Sequence, residues 1–571
     1  MLVAERVQSH LRLVYPRVDV AELTGRVLAV MGIDPAAEVA DPGPLWSERD
    51  SVLITYGDTI TSPDEAPLAT LRRFVAERLG DCCTAVHVLP LFPFSSDDGF
   101  AIVDYHAVRD DLGDWPDVAA IAATPGLMID LVLNHCSSRS DWFGQFERGE
   151  EPGRSYFRTA EPDDDLSAVV RPRALPLLRE TETTEGLRHV WCTFSHDQVD
   201  LDWANPDLLC EMLGVMRRYL DVGTRFLRLD AVAYVWKRPG TGSIHLPETH
   251  EIVKLIRTLV DAAAPGTVLV TETNVPNREN LKYFGQGDEA HVIYNFSLPP
   301  LLLDALWSGH SRHLSTWMMS MPPARDGSAY LNFLASHDGI GLRPAEGLLE
   351  PDEVDRMVDT ARSTGGLVST FDSPTGPRPY ELNLSLFEAL SRTHDGPDEH
   401  HLARFTCAHA IMLALEGIPA VYVHSLLGTP NDHAAVEDRG HHRAINRSRL
   451  TLVEVEAALD GTGTRAAAFR AIRHLLRVRS EHPAFHPNAT QFTLHLGSDL
   501  FGCWRQARDR SSSVFAVSNV TANPVTLPLS ALNLTVTDTW TDLQSGLVLD
   551  VDDETIGLEP YASRWIASTP A

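Results

Sequence analysis

Eight short apolar runs, each followed by a polar loop and a helical stretch, predict an α/β fold. The predicted architecture is a (β/α)8 TIM barrel with a subdomain inserted after strand three, a long loop region after strand seven and a C-terminal antiparallel β domain. Three observations carry this. The runs are continuously apolar rather than alternating, as parallel strands covered on both faces must be. There are eight of them, the number that closes a barrel of about 250 residues. Beyond residue 489 the pattern becomes alternating β sequence with turn signals (SSSVFAVSNVTANPVTLPL), which suits antiparallel strands.

In chain order, residues 1–50 read as an added helical extension ending near Pro44. The barrel, 51–488, follows. Its strands are SVLITY (51–56), AVHVLPLF (85–92), LMIDLVLNH (127–135), FLRLDAV (226–232), VLVTETN (268–274), HVIYNF (291–296), LNFLASHD (331–338) and AVYVHSLLG (420–428). Segments 136–190 and 339–400 are too long for simple βα loops. Long connections in compact domains usually carry function. These two leave the C-terminal ends of strands three and seven, the face on which barrel active sites are built. Residues 489–571 form the β domain.

Of 571 residues, 44% are hydrophobic and 22% charged, which excludes disordered and collagen-like classes. The net charge of −30 disfavours nucleic acid and anionic membranes as partners. There is no apolar run of membrane-spanning length. The N-terminus has charges throughout and no apolar core of a secretory signal. The seven cysteines, without metal spacing, fit buried thiols in a reducing cytoplasm. A homodimer is compatible with the sequence.

The strand ends carry the chemistry. Strand three ends in Asp130…Asn134-His135, strand four in Arg228-Leu229-Asp230, strand five in Glu272-Thr273-Asn274 and strand seven in His337-Asp338. One acid at a strand end often only caps the next helix; acids from four strands on one rim point to a site. Converging carboxylates suit glycosidic bond chemistry. One attacks the anomeric carbon and a second, kept protonated, donates to the leaving oxygen, the two lying about 5–5.5 Å apart in a retaining enzyme. Arg228, two residues before Asp230, shares its strand face and is expected to hold it as an anion. Glu272 has no cation within two residues, leaving its pKa free to rise in a closed pocket.

The set DLVLNH (130–135), RFLRLDAVAY (225–234), TETN (271–274) and ASHDGIG (335–341) resembles the four signature regions of the α-amylase superfamily of glycoside hydrolases. The resemblance implies Asp230 as nucleophile, Glu272 as general acid/base and Asp338 as the third carboxylate. His135 and His337 would bond the same glucose ring, with Arg228, Gln198 and Tyr234 among the sugar contacts. LITYGD (53–58), SSDDGFAIVDYH (95–106), RPRALP (171–176), YELN (380–383) and RAINR (443–447) are similar to sucrose phosphorylase and its relatives beyond residue 50. In that group Asp97 and Arg443 would clamp the far end of the glucose, and Phe100 and Phe194 would form its aromatic walls.

A phosphorylase must hold phosphate where the leaving group sat, and planar Arg donors match phosphate oxygens. The resemblance assigns Arg173 and Tyr380 to this, with Arg171 beside them. Departures from sucrose phosphorylase occur at Asn274 and at Glu381, a glutamine position in the sucrose enzymes. These features, with the N-terminal extension, VVRPRALPLL (169–178) and PGTGSIHL (239–246), look more like glucosylglycerate phosphorylases. Their acceptor, glycerate, is a carboxylate and demands further cations, for which Arg171, Arg378 and Lys237 are candidates. Sucrose, sucrose 6-phosphate or glucosylglycerol as substrate, and an exo-acting α-glucosidase, are the alternatives. No cofactor is implied beyond phosphate as co-substrate, and no metal; the His-rich runs at 398–401 and 441–442 read as polar loops.

Overall fold

Eight parallel strands close into a barrel in the computed structural model, which describes residues 2–39, 41–172, 175–373, 376–532, 534, 539–550 and 554–569. They are β1 (Val52–Thr55), β2 (Ala85–Val88), β3 (Leu127–Val132), β4 (Phe226–Asp230), β5 (Val268–Thr271), β6 (Val292–Tyr294), β7 (Ala329–Asn332) and β8 (Ile418–Tyr422). Each pairs with its neighbours in sequence, and β8 closes on β1. Every residue of these strands is buried, because helices cover the outside and side chains fill the inside. The β3–β4 register sets Arg228 beside Asp130 and brings Asp230 level with Val132 at the rim.

Every predicted run extends past the C-terminal end of its strand, and two do so by six residues. The run LNFLASHD predicts strand seven, but β7 ends at Asn332. Phe333, Leu334 and Ala335 are buried in the loop beyond it, so they are apolar because they are covered, not because they pair. His337 and Asp338 therefore sit on that loop. Likewise β8 stops at Tyr422, and Val423–Leu426 is a helical turn.

Both long connections carry secondary structure. After β3, His135–Ser137 pairs with Gln198–Asp200, and between them lie helix Asp141–Arg148 and a three-stranded sheet of Thr159–Ala160, Gly186–Trp191 and Leu178–Thr183. After β7, helix Pro351–Ser363 leads into a hairpin, Leu367–Ser373 with Gly376–Asn383. Ile340–Gly341 adds to the hairpin's edge, with Gly341 opposite Glu381.

The N-terminal extension is two helices, Val3–Val14 and Val20–Met31. The first lies on helix Pro247–Ala263, which follows β4; the second lies on helix Pro206–Asp221, which precedes it. Their contacts include Tyr15 Oη donating to the Trp203 carbonyl (2.8 Å), the His10–Glu251 pair (2.9 Å) and Arg217 Nη1 donating to the Met31 carbonyl (3.0 Å). At the C-terminus a six-stranded antiparallel sheet runs in the order Thr490–Thr493, Leu500–Gln506, Ser513–Asn519, Ser563–Thr569, Thr539–Asp542 and Val548–Leu549. The buried Arg505 joins it to the barrel through the carbonyls of Ala414 (2.9 Å) and His486 (2.8 Å). All seven cysteines are free, six of them buried. Among the described residues no helix is long and apolar enough to cross a membrane.

Candidate active site

At the C-terminal rim of the barrel a cleft of about 770 Å³ is lined by Asp230, Glu272 and Asp338. Asp230 is the last residue of β4. Ala231 then turns with φ +52°, a conformation that costs an alanine energy and is kept where the surroundings enforce it. The turn aims the Ala231 N–H at Glu272 Oε2, 3.4 Å away. Arg228 Nη1 donates to Asp230 Oδ1 at 2.8 Å and also to Asp130 Oδ1. Asp130 in turn bonds His87 Nε2 at 2.9 Å. β2, β3 and β4 thus fix the guanidinium beneath the acid it contacts.

The electrostatics distribute protons unevenly. Burial pushes the Asp230 carboxyl well above the usual range, against the pull of Arg228, and Glu272 adds to the rise. Burial likewise raises Glu272, with Arg228 opposing and Asp338 adding. The sequence expectation that Arg228 alone keeps Asp230 charged is therefore incomplete. The two acids titrate as one unit. Arg228 contacts Asp230, whereas among the described residues Glu272 receives only the long Ala231 N–H, a difference that favours the charge on Asp230 and the proton on Glu272. Asp338 is the opposite case. Burial works to raise it, but Arg443, His337 and Arg447 hold it far below the ordinary carboxylate range.

The inner end of the cleft is a closed lattice. Arg443 Nη1 meets Asp338 Oδ1 at 2.5 Å, while its Nε and Nη2 donate to Glu381 at 3.1 and 2.9 Å. Asp97 also lines the cleft, with φ +56°, and accepts from Gln198 Nε2 at 3.1 Å. Gln198 reaches His135 Nε2 at 3.1 Å and takes a bond from Ser195 at 2.9 Å. Phe100 stacks on His337 with ring centres 5.0 Å apart, and Phe194 meets Tyr234 edge-on at 5.5 Å. Burial lowers His135 to about 4 and His337 to about 3, so both rings are neutral at pH 7. Arg447 supports the lattice from behind, donating to the His337 carbonyl (2.8 Å) and to Asp98 (2.7 Å), which also meets His441 at 3.3 Å. His441 is thus a carboxylate partner.

The outer end combines the loop after β5 and the two long connections. Asn274, Tyr380 and Pro172 line it. Other expected acceptor residues do not. Arg171 is exposed and donates to the Leu175 carbonyl at 2.7 Å. Arg378 is exposed on the hairpin, outside the cleft lining. Glu381 does not face the cleft; it is buried, holding Arg443 and accepting from the Gly339 N–H (3.1 Å). Lys237 is neither an acceptor ligand nor a surface charge: it is buried against Asp200 at 2.9 Å and also bonds Asn134. Arg173 lies outside the described residues. The sequence reading missed Arg343, which does line the cleft. It follows ASHDGIG by two positions, and its proximity to that motif was the available signal.

Comparison with known proteins places this geometry. Residues 78–338 match the model of the α-amylase catalytic domain. A glucosylglycerate phosphorylase of Allomeiothermus silvanus is 44% identical over 91% of this chain and 91% of its own. One from Escherichia coli is 41% identical over 91% of this chain and 92% of its own. Among solved structures, sucrose 6F-phosphate phosphorylase from Thermoanaerobacter thermosaccharolyticum superposes with a TM-score of 0.72 at 26% identity, covering 83% of this chain and 94% of that one.

Proposed function

This chain belongs to the sucrose phosphorylase group of the α-amylase superfamily, and on that premise we propose that it is a retaining glucosylglycerate phosphorylase. It converts glucosylglycerate and phosphate to α-glucose 1-phosphate and glycerate. The observation that carries the choice of acceptor is the similarity to glucosylglycerate phosphorylases over nine-tenths of the chain. The acid pair supports the reaction type.

In the first step an Asp230 oxygen attacks the anomeric carbon, the bond to the glycerate oxygen breaks, and Glu272 gives its proton to that oxygen. The product is a glucosyl ester on Asp230, with Glu272 now ionised. In the second step a phosphate hydroxyl oxygen attacks the same carbon, its proton passes to Glu272, and Asp230 departs as the anion it began as. Two inversions retain the α configuration. Asp338, held as an anion, and Arg443 fix the glucose hydroxyls, and neutral His135 and His337 can bond them without competing for the proton. The closed inner end admits one sugar ring.

The sucrose 6F-phosphate phosphorylase fold neighbour favours a second reading, with another acceptor in the same outer space. The test is synthesis from α-glucose 1-phosphate with glycerate, fructose, fructose 6-phosphate, glycerol or water alone. Phosphate release driven by glycerate above the others is the expected result. Release with water only removes the phosphorylase reading, and release with fructose 6-phosphate but not glycerate moves the assignment to the second.

A further inference from the structure

A carboxylate acceptor needs a cation, and the described candidates named from sequence all fall elsewhere: Arg171 and Arg378 outside the cleft, Lys237 on Asp200. Among the described residues three arginines line the cleft. Arg228 is committed to Asp130 and Asp230, and Arg443 to Asp338 and Glu381. Arg343 differs. It opens the short turn Arg343–Ala345, is half-buried, and among the described residues its guanidinium has no hydrogen bond and no ion pair. The preceding Leu342 N–H donates to the Tyr380 carbonyl at 3.0 Å, so Arg343 stands beside Tyr380 on the outer side of the cleft.

A second atom there is unsatisfied. Asn274 Oδ1 is buried with no hydrogen-bond partner. Asn274 stands two residues after the proton donor Glu272. It packs against the loop that leads to Arg343, since a Cβ on Gly341 would lie 3.0 Å from its amide. A buried amide oxygen and a half-buried guanidinium without partners carry a desolvation cost that a ligand removes. Besides Glu272 with its proton, the cleft presents Asp97, Asp230 and Asp338 against two arginines already neutralised by carboxylates. An entering anion is repelled unless a further cation meets it.

Resting on the phosphorylase reading above, we infer that Arg343 is the acceptor-specificity residue: its planar fork grips the carboxylate of glycerate while the Asn274 side chain beside it offers its amide to an acceptor hydroxyl. Phosphate shares the anionic chemistry and enters the same space, so the test separates the two. In synthesis from α-glucose 1-phosphate, Arg343→Gln raises the glycerate KM by about 10- to 100-fold, the loss expected for a charge-assisted bond. Glycerol, the uncharged analogue, keeps its rate within about twofold, and the KM for α-glucose 1-phosphate stays within about threefold. Arg343→Lys recovers part of the glycerate affinity, because it restores charge but not the fork.

A glycerate KM that stays near wild type overturns the inference. So does an equal rise in the KM for α-glucose 1-phosphate, which assigns Arg343 to phosphate. Slow hydrolysis of α-glucose 1-phosphate by the variant reports a folded, glucosylated enzyme. Should Arg343→Gln lack it, Arg343→Lys is held to the same two limits. If the wild type makes no product from glycerate, the functional reading falls and this inference with it. If the wild type does and the variant's glycerate KM is unchanged, this inference alone falls.

Discussion

The inner and outer ends of the cleft are built on different terms. At the inner end Arg228, Arg443 and Arg447 each answer two groups, and Asp338 is held by cations on several sides. At the outer end Arg343 and Asn274 line the cleft, and neither the guanidinium nor the buried amide oxygen has a partner among the described residues. The inner end is preorganised for one sugar and pays little to reorganise when it arrives. The outer end is completed by what binds there, and that is where relatives with different acceptors can diverge without disturbing the chemistry.

The comparison is broken or sharpened by a graded set of substitutions. The largest effect is expected for Asp230→Asn, which removes the proposed nucleophile: kcat for phosphorolysis, followed by glucose 1-phosphate release, falls by about 10⁴-fold or more. Residual activity near wild type would mean the inner acids are not the reacting pair. Next comes Glu272→Gln, expected to lower kcat by about 10²- to 10⁴-fold through loss of the proton donor. It also has a stability signature. Glu272 is raised in the fold above its ordinary 4.5, so its favourable contribution is present below that value and is lost as pH rises through the folded pKa. Thermal melts of Glu272→Gln should therefore lie above wild type at pH 8 and converge with it toward pH 4. A gap that widens on acidification contradicts the assignment.

Glu381→Gln tests the inner lattice by leaving Arg443 half-answered. Removing one member of a buried pair is expected to cost about 3 kcal/mol in denaturant unfolding. The KM for α-glucose 1-phosphate should rise while that for glycerate does not; the reverse split would return Glu381 to the acceptor role read from its sequence. The smallest effect is expected for Arg378→Gln, an exposed change outside the cleft lining, with glycerate KM within about twofold of wild type.

Much of this was legible in the sequence because barrel strands are continuously apolar and the acids recur at their ends. Asp230, Glu272 and Asp338 meet in one cleft, as the spacing on separate strands suggests. Other features depend on partners distant in sequence. Nothing near Lys237 announces its burial against Asp200, and nothing near Glu381 announces Arg443. Arg343 has no periodicity to mark it, since it sits on a single turn. The end of β7 was misplaced because Phe333–Ala335 are buried without being paired, and hydrophobicity reports the first property only.

The two N-terminal helices grip the helices before and after β4, the strand that ends in Asp230. They act as an external splint on one sector of the wall. Shortening the chain from its start would spare every cleft side chain yet loosen the sector that carries Asp230, the proposed attacking group, so such a deletion should surface as sluggish catalysis and early melting rather than as altered acceptor choice.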